Sequence, residues 1–122
     1  MKQILIVEDV ELNLDLLVQL LEDEFQLISA PDGKAGVELA IKKRPDLILM
    51  DMSLPVMNGW TATRQIKENP ELGHIPIIGL SAHALASERD KALAAGCDAY
   101  LTKPVDEDEL RAAIHQALGV VS

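Results

Sequence analysis

Five short apolar segments, each followed by a stretch with helical periodicity, constrain the fold of this chain more than any other feature. They recur at intervals of roughly 20–30 residues, which is the length of one strand–helix unit. Three of them are rich in isoleucine, leucine and valine with little polar alternation, as in strands buried on both faces of a parallel sheet. The segments lie at Gln3–Val7, 25–29, 46–50, 75–80 and Ala99–Thr102. The pattern therefore predicts five parallel β-strands.

Helix start and stop signals fill the intervals between the apolar segments. In the first interval Leu14, Leu17 and Leu21 share one helical face, because they are three and four residues apart. Proline cannot donate a hydrogen bond inside a helix, so Pro45 and Pro70 should end the second and third helices. Side chains that can cap a helix N-terminus precede the other four helices, at Asp32, Asn58, Ser87 and Asp106. The chain is therefore predicted to be a (βα)₅ protein of the α/β class, with helices on both faces of one open sheet.

Polar residues suited to phosphate or metal chemistry follow four of the predicted strands. They are Glu8 and Asp9 after the first strand, Asp51 after the third, Ser81 after the fourth and Lys103 after the fifth. In open parallel sheets, ligands bind outside the carboxyl ends of the strands. We therefore expect these side chains to converge on one edge of the sheet and to form the functional site there.

Three carboxylates at one edge repel one another and need a compensating cation. Oxygen ligands favour a hard ion, Mg²⁺ or Mn²⁺, and Mg²⁺ is commonly held by one or two carboxylates, waters and phosphate oxygens. A carboxylate such as Asp51 can attack phosphorus to form an acyl phosphate, while Lys103 and Ser81 hold the phosphoryl oxygens. Each residue alone also suits a turn, a helix cap or a solvated loop. Their joint placement predicts that Asp51 accepts a phosphoryl group.

Composition excludes several other classes of function. The chain has 122 residues and a formal net charge of −9, which disfavours binding to nucleic acid or to an anionic membrane. No apolar run approaches the roughly 20 residues that a bilayer-spanning helix requires, and the N-terminal run is too short for a secretory signal. The single cysteine, Cys97, cannot form an internal disulfide. We therefore expect one domain over residues 1–122, located in the cytoplasm.

Three motifs resemble those of response-regulator receiver domains of two-component signalling. They are ILIVED at 4–9, LILMDMSLP at 47–55 with Gly59 beyond it, and AYLTKP at 99–104. Each is weak alone, but the three occur in order at predicted strand ends, and the likeness covers nearly the whole chain. It is greatest to single-domain regulators of the chemotaxis and cell-cycle kind. The resemblance implies a five-stranded parallel sheet in the flavodoxin-like order 2-1-3-4-5.

The resemblance implies a role for each residue of the predicted site. Asp51 matches the phosphoacceptor, and Lys103 matches the lysine that contacts the phosphoryl group. The implied ligands of Mg²⁺, with Mn²⁺ as an alternative ion, are Asp9, Asp51, the backbone carbonyl of Ser53 and, through water, Glu8. The other implied phosphoryl contacts are the Ser81 hydroxyl and the backbone groups of Ala82 and Met52. Such a domain catalyses only its own phosphorylation and dephosphorylation, so we do not expect an enzyme in the ordinary sense.

The resemblance further implies a switch. Ser81 and Tyr100 match a hydroxyl that moves towards the phosphate and an aromatic ring that then turns inward. Ser53 and His83 match positions that tune the lifetime of the phosphorylated form, although His83 also suits an ordinary surface loop. Pro104 matches a proline that follows a cis peptide bond. The implied readout face comprises the fourth helix, fifth strand and fifth helix, near residues 84–95, Ala99–Thr102 and Glu107–Leu118.

The implied partners are a sensor histidine kinase or a histidine phosphotransfer protein, which donates the phosphoryl group, and a downstream protein target. A monomer is expected. Trp60 either anchors a partner or is partly buried against the third helix. One alternative is that the chain is a receiver domain excised from a hybrid kinase or a multidomain regulator.

Three other functions share the fold or the chemistry. A phosphatase of the haloacid dehalogenase kind needs a second acid two residues after the nucleophile, where this chain has Ser53. A flavodoxin-like electron carrier needs a phosphate-binding loop after the first strand, where Glu8 and Asp9 would repel phosphate. A receiver that has lost phosphorylation typically lacks one of the acids or the lysine, all of which are present. The sequence therefore favours a functional phosphoacceptor.

Overall fold

The computed structural model describes residues 1–54, 57–82 and 86–119, with Ala86 described by its backbone alone. One predicted site residue, His83, lies outside the described residues, as does the start of the predicted readout face at positions 84 and 85. Every other residue predicted for the site lies within them.

Five parallel strands form one sheet in the order β2-β1-β3-β4-β5. Their bounds are β1 Gln3–Val7, β2 Gln26–Ala30, β3 Leu47–Asp51, β4 Ile77–Ser81 and β5 Ala99–Thr102. The strand order and the parallel pairing confirm the prediction. The bounds of three strands lie one or two residues later than the apolar segments indicated. Pro76 precedes β4, where its carbonyl accepts a hydrogen bond from Ile48 N–H and its missing N–H breaks no ladder bond.

Five helices follow the strands and pack on both faces of the sheet. Their bounds are α1 Glu11–Leu21, α2 Gly33–Lys43, α3 Gly59–Glu68, α4 Ala86–Ala95 and α5 Glu107–Leu118. One apolar cluster joins the sheet to α2, α3 and α4 through buried residues such as Ala40, Ile66 and Ala92. A second cluster joins the opposite face to α1 and α5 through residues such as Leu17 and Ile114. The predicted doubly covered α/β architecture is therefore confirmed.

Three of the four predicted helix caps are confirmed. Asp32, Asn58 and Asp106 each accept a hydrogen bond from the backbone N–H three residues later, which satisfies a donor that the helix leaves unpaired. The prediction for Ser87 is wrong, because α4 begins at Ala86 and Ser87 lies inside its first turn. A serine followed by an acid three residues later occurs within helices as well as before them, so the spacing alone did not locate this boundary.

None of the described helices combines the length and apolar character that crossing a membrane requires.

The parallel arrangement places the carboxyl ends of all five strands at one edge of the sheet. At the adjacent inner strands β1 and β3, that edge carries Glu8 and Asp51.

Candidate functional site

The acid cluster lies where β1 and β3 end side by side. Val7 pairs with Met50 across the two strands, so the residues that follow them, Glu8 and Asp51, are neighbours. One carboxylate oxygen from each of Glu8, Asp9 and Asp51 lies within 4.8 Å of the other two. Glu8 and Asp51 are buried and Asp9 is exposed. The sequence prediction that these three acids converge is therefore confirmed.

Lys103 brings a positive charge to the buried pair. Its backbone N–H donates to the carbonyl oxygen of Ser81 at 2.7 Å, which extends the β4–β5 pairing by one residue. Its Nζ donates to Glu8 Oε1 at 2.8 Å and to Asp51 Oδ2 at 3.3 Å. The peptide bond from Lys103 to Pro104 is cis, as the resemblance implied. One ammonium thus bridges two carboxylates that would otherwise repel each other.

The two buried acids divide their charge unequally. Burial, followed by the adjacent Asp51 carboxylate, raises the pKa of Glu8 to about 7, against the partial compensation of Lys103. Burial also opposes ionisation of Asp51, but hydrogen bonds from Glu8 and from Ser53 N–H, together with Lys103, outweigh it and lower the pKa of Asp51. For Lys103 the desolvation is outweighed by Glu8 and Asp51, which raise its pKa. At neutral pH Asp51 is therefore an ionised carboxylate beside a charged lysine, and Glu8 shares the remaining proton.

The backbone after β3 includes two amides near the predicted phosphoryl contacts, those of Met52 and Ser53. The N–H of Met52 donates to the carbonyl oxygen of Leu80 at 2.9 Å, so the sheet already uses it. The N–H of Ser53 instead donates to Asp51 Oδ1 at 2.9 Å. Sequence matching could not separate these two amides, because which one faces the carboxylate depends on where the ladder of β3 ends.

The predicted switch residues lie on the next two strands. Ser81 is the last residue of β4, is buried, and pairs with Thr102. Ala82 follows it and is exposed. Tyr100, on β5, is partly buried against the apolar cluster that includes Met52. A Cβ atom at Gly79 would lie 3.2 Å from both Cys97 Sγ and Met52 Sδ, and in ordinary contact, at 3.5 Å, with the Tyr100 ring. Trp60 is also partly buried against that cluster, which is the second of the two predictions made for it.

A sequence profile of the response regulator receiver domain matches residues 4–115. The chain belongs to this family. Among the relatives of this receiver, the polar-differentiation response regulator DivK of Brucella anthropi is 38% identical over 119 residues, which cover 97% of each chain. The receiver thus matches a single-domain regulator over nearly that protein's whole length.

Solved structures of other receivers have the same fold. The receiver domain of a sensor histidine kinase from Pseudomonas aeruginosa superposes with a TM-score of 0.90 at 36% identity, covering 97% of this chain and 98% of the other. It carries a magnesium ion coordinated in its active-site cleft. The signal receiver domain of a histidine kinase from Syntrophus aciditrophicus gives a TM-score of 0.90 at 31% identity and covers 98% of this chain and 91% of the other.

The acids of this receiver fit a divalent cation. Their three oxygens are close enough to share one ion, and carboxylate oxygens are the ligands that Mg²⁺ prefers. Asp9 is exposed at the mouth of the cluster, which leaves room for the waters that Mg²⁺ retains. The cluster thus has the geometry and the donor atoms of a magnesium site.

An apolar surface beside the acid cluster was not predicted from the sequence. Leu12 is 79% exposed and Leu16 47% exposed on α1, and Val10 before the helix is 45% exposed. A cavity of about 80 Å³ adjoins them, with Leu16, Pro104 and the site residues Glu8 and Lys103 among its lining. Helical periodicity predicted the buried face of α1 correctly. The sequence signal for the exposed apolar surface was the pair of additional leucines, Leu12 and Leu16, on the opposite face of that helix.

Proposed function

We propose that this receiver is a phosphorylation-activated switch that accepts a phosphoryl group on Asp51 and signals through altered protein–protein binding. The observation that carries the proposal is the state of Asp51. Its side chain is only 6% exposed, its pKa is lowered, and the Lys103 ammonium lies 3.3 Å from it. A buried, ionised carboxylate beside a cation is poised to act as a nucleophile towards an anionic phosphoryl group.

The phosphoryl donor is a phosphohistidine on a sensor histidine kinase or on a histidine phosphotransfer protein. An Asp51 carboxylate oxygen forms a bond to phosphorus while the phosphorus–nitrogen bond of the donor breaks. The electron pair stays on the imidazole nitrogen, which then takes up a proton. Lys103, the Ser81 hydroxyl and the backbone N–H groups of Ala82 and Ser53 hold the phosphoryl oxygens. The Met52 N–H is a further contact implied by the resemblance, and the Ser53 N–H is added because it is already directed at Asp51.

Asp9, Asp51 and the backbone carbonyl of Ser53 would hold Mg²⁺, with Glu8 acting through a water molecule. When bound, the ion supplies positive charge that neutralises the acids and the phosphoryl oxygens. Mn²⁺ takes the same oxygen ligands and should substitute for it. Because Glu8 is buried and bonded to Lys103, its direct role in the resting protein is to orient that lysine.

Phosphorylation shifts an equilibrium between two arrangements of the receiver. Ser81 moves towards the phosphoryl group and Tyr100 turns inward beside Gly79. The surface formed by α4, β5 and α5 changes with them and binds a downstream protein target. Ser53 and His83 occupy the positions that, by the family resemblance, set how long the phosphate survives.

The apolar surface of Val10, Leu12 and Leu16 supports docking of a protein donor. A phosphohistidine must come within bonding distance of Asp51, so the body of its protein must cover the rim of the acid cluster. Val10 directly follows Asp9, and the leucines continue along α1 from there. A Leu12→Glu receiver should lose uptake from a donor protein but keep uptake from a small phosphodonor such as acetyl phosphate. Equal losses with both donors would contradict this docking surface.

We propose that residues 1–122 form one receiver domain that is monomeric and cytoplasmic. The match to 97% of the DivK relative supports a function like that of this regulator. The net charge of −9 makes a nucleic-acid partner or an anionic membrane surface unfavourable. In this proposal the receiver catalyses only its own phosphorylation and dephosphorylation.

The test is phosphoryl uptake from acetyl phosphate with Mg²⁺, measured as added mass on the intact protein. The wild-type protein should gain one phosphoryl group, and Asp51→Asn should gain none. Asp46→Asn is a matched control, because Asp46 lies at the opposite edge of the sheet, before β3. Uptake that survives in Asp51→Asn, or absence of uptake in the wild-type protein, would refute the proposal.

A further inference from the structure

Trp60 lies one residue from a direct backbone contact with the proposed phosphoacceptor. The first residue of α3, Gly59, packs so tightly that a side-chain carbon there would lie 2.6 Å from the Cα of Met52 and would collide with the carbonyl oxygen of Asp51. Helix α3 therefore rests on the peptide unit that links Asp51 to Met52. Any movement of this peptide unit must displace Gly59, and Trp60 with it.

Trp60 also contacts the helix that opens the readout face. The Nζ of Lys91 on α4 lies 5.4 Å from the centre of the Trp60 ring, within the range of a cation–π interaction. The buried contacts of α4 come from small residues, with Ala92 and Ala95 its buried hydrophobic residues among those described. By contrast, α5 is fixed by buried Leu110 and Ile114. Because alanine buries little apolar area, the contact between Lys91 and Trp60 adds a further tie between α3 and α4.

The indole of Trp60 has an unsatisfied hydrogen-bond donor in this arrangement. Its Nε1 is fully enclosed, and no acceptor among the described residues lies within hydrogen-bonding distance. An enclosed N–H without a partner costs free energy, because it has lost water and gained nothing in exchange. A rearrangement that offered an acceptor to this N–H would therefore be favoured over the arrangement seen here.

We propose that Trp60 is a positioning residue that couples the phosphorylation state of Asp51 to the position of α4. The inference rests on the proposed function of Asp51. Phosphorylation displaces the Asp51–Met52 peptide unit against Gly59, the indole N–H gains an acceptor, and the contact with Lys91 changes. This route shares no residue with the pair Ser81 and Tyr100, so it would act beside that pair on the same readout face.

The single tryptophan of this chain makes the inference directly measurable. The ¹⁵N-labelled protein of residues 1–122 gives one indole N–H resonance. Its chemical shift is measured with Mg²⁺ alone and then with Mg²⁺ plus beryllium fluoride, a stable analogue of a phosphoryl group on a carboxylate. We expect the indole proton to move downfield when the analogue binds. Lys91→Met should reduce the accompanying change in tryptophan fluorescence by half or more. Arg89→Met is the matched control, since Arg89 is exposed on the same helix and should leave both signals as in the wild type.

A second variant separates coupling from simple packing. Trp60→Phe keeps an aromatic ring but removes the N–H, so it should weaken binding of the analogue about fivefold, the effect of roughly 1 kcal/mol. A tryptophan that only packs would alter the unfolding midpoint and leave the affinity for the analogue unchanged, which would overturn the inference. ¹⁹F signals of the bound analogue report occupancy of Asp51 independently. If the wild-type site stays empty, the proposed function fails. If it fills while the indole resonance does not move, only the coupling role of Trp60 fails.

Discussion

Two lysines of similar exposure lie at opposite edges of the same sheet and have opposite surroundings. At the amino edge, Lys67 is 18% exposed and donates to the carbonyl oxygen of Ile75 at 2.7 Å and to Asp98 Oδ2 at 2.9 Å. At the carboxyl edge, Lys103 is 20% exposed and bridges Glu8 and Asp51, whose side chains are almost fully enclosed. The first lysine faces one carboxylate, and the second faces two.

This difference separates a structural clamp from a reactive site. Asp98 Oδ2 also accepts from the N–H of Ile77, so the amino-edge lysine joins α3 to the starts of β4 and β5 with its charge fully matched. At the carboxyl edge, three acids meet a single lysine among the described residues, which leaves excess negative charge. A balanced edge stabilises the fold without any ligand. An edge with excess negative charge gains stability when a cation binds or when Glu8 takes up a proton, and this dependence on a ligand is what a switch requires.

Removal of the amino-edge clamp should have the largest effect on stability. Lys67→Met should lower the free energy of unfolding by about 2–3 kcal/mol, because it leaves the Ile75 carbonyl oxygen without its donor and removes the cation beside Asp98, whose carboxylate keeps the N–H of Ile77. The measurement is urea unfolding followed by circular dichroism. Phosphoryl uptake under folding conditions should be unchanged, since the clamp is remote from Asp51.

Arg64→Met provides the control for this clamp, because Arg64 is an exposed basic residue on the same helix. It should change the free energy of unfolding by less than about 0.5 kcal/mol. A Lys67→Met protein as stable as Arg64→Met would show that the clamp contributes nothing. A Lys67→Met protein that folds but takes up no phosphoryl group would show that the two edges are not separate.

The fold and most of the site could be predicted from the sequence because their signals are local. Apolar strands and Asp or Asn caps fix the order of the elements. Because parallel strands share a carboxyl edge, the strand-end positions of Glu8, Asp51 and Lys103 place them at one edge, and the sheet order implied by the resemblance brings them close together. The start of α4 was misplaced at Ser87, since a serine and a later acid occur inside helices as well as before them.

The details that sequence could not supply depend on distances between elements. Neither the commitment of the Met52 N–H to the Leu80 carbonyl nor the closer approach of Lys103 to Glu8 than to Asp51 follows from residue spacing. The enclosed indole N–H of Trp60 is likewise a product of packing between α3 and α4. In the proposed function, such features would decide which amide holds a phosphoryl oxygen and how a signal leaves the site.

The unbalanced edge should make stability depend on pH. The pKa of Glu8 is about 7 in the folded protein and near 4.5 when unperturbed. The folded state thus holds more protons between these values, and stability should fall as pH rises from about 5 to 8. Without metal we expect a loss on the order of 2 kcal/mol, measured by urea unfolding at a series of pH values. Glu8→Gln should remove most of this slope. The lowered pKa of Asp51 acts in the opposite sense but at lower pH, so it should not cancel the effect in this window.

The smallest expected effect on stability is that of Mg²⁺ binding, and it most directly tests the difference between the amino and carboxyl edges of the sheet. Mg²⁺ at about ten times its dissociation constant should raise the free energy of unfolding of the wild-type protein by about 1.4 kcal/mol, because it binds the folded state alone. Asp9→Asn should abolish this gain, and Lys67→Met should retain it in full despite its lower stability. The readout is the shift in thermal unfolding midpoint with MgCl₂, with NaCl of equal ionic strength as the control for screening. Equal shifts with both salts would mean that Mg²⁺ only screens the acids, and the carboxyl edge would then be no more reactive than the amino edge.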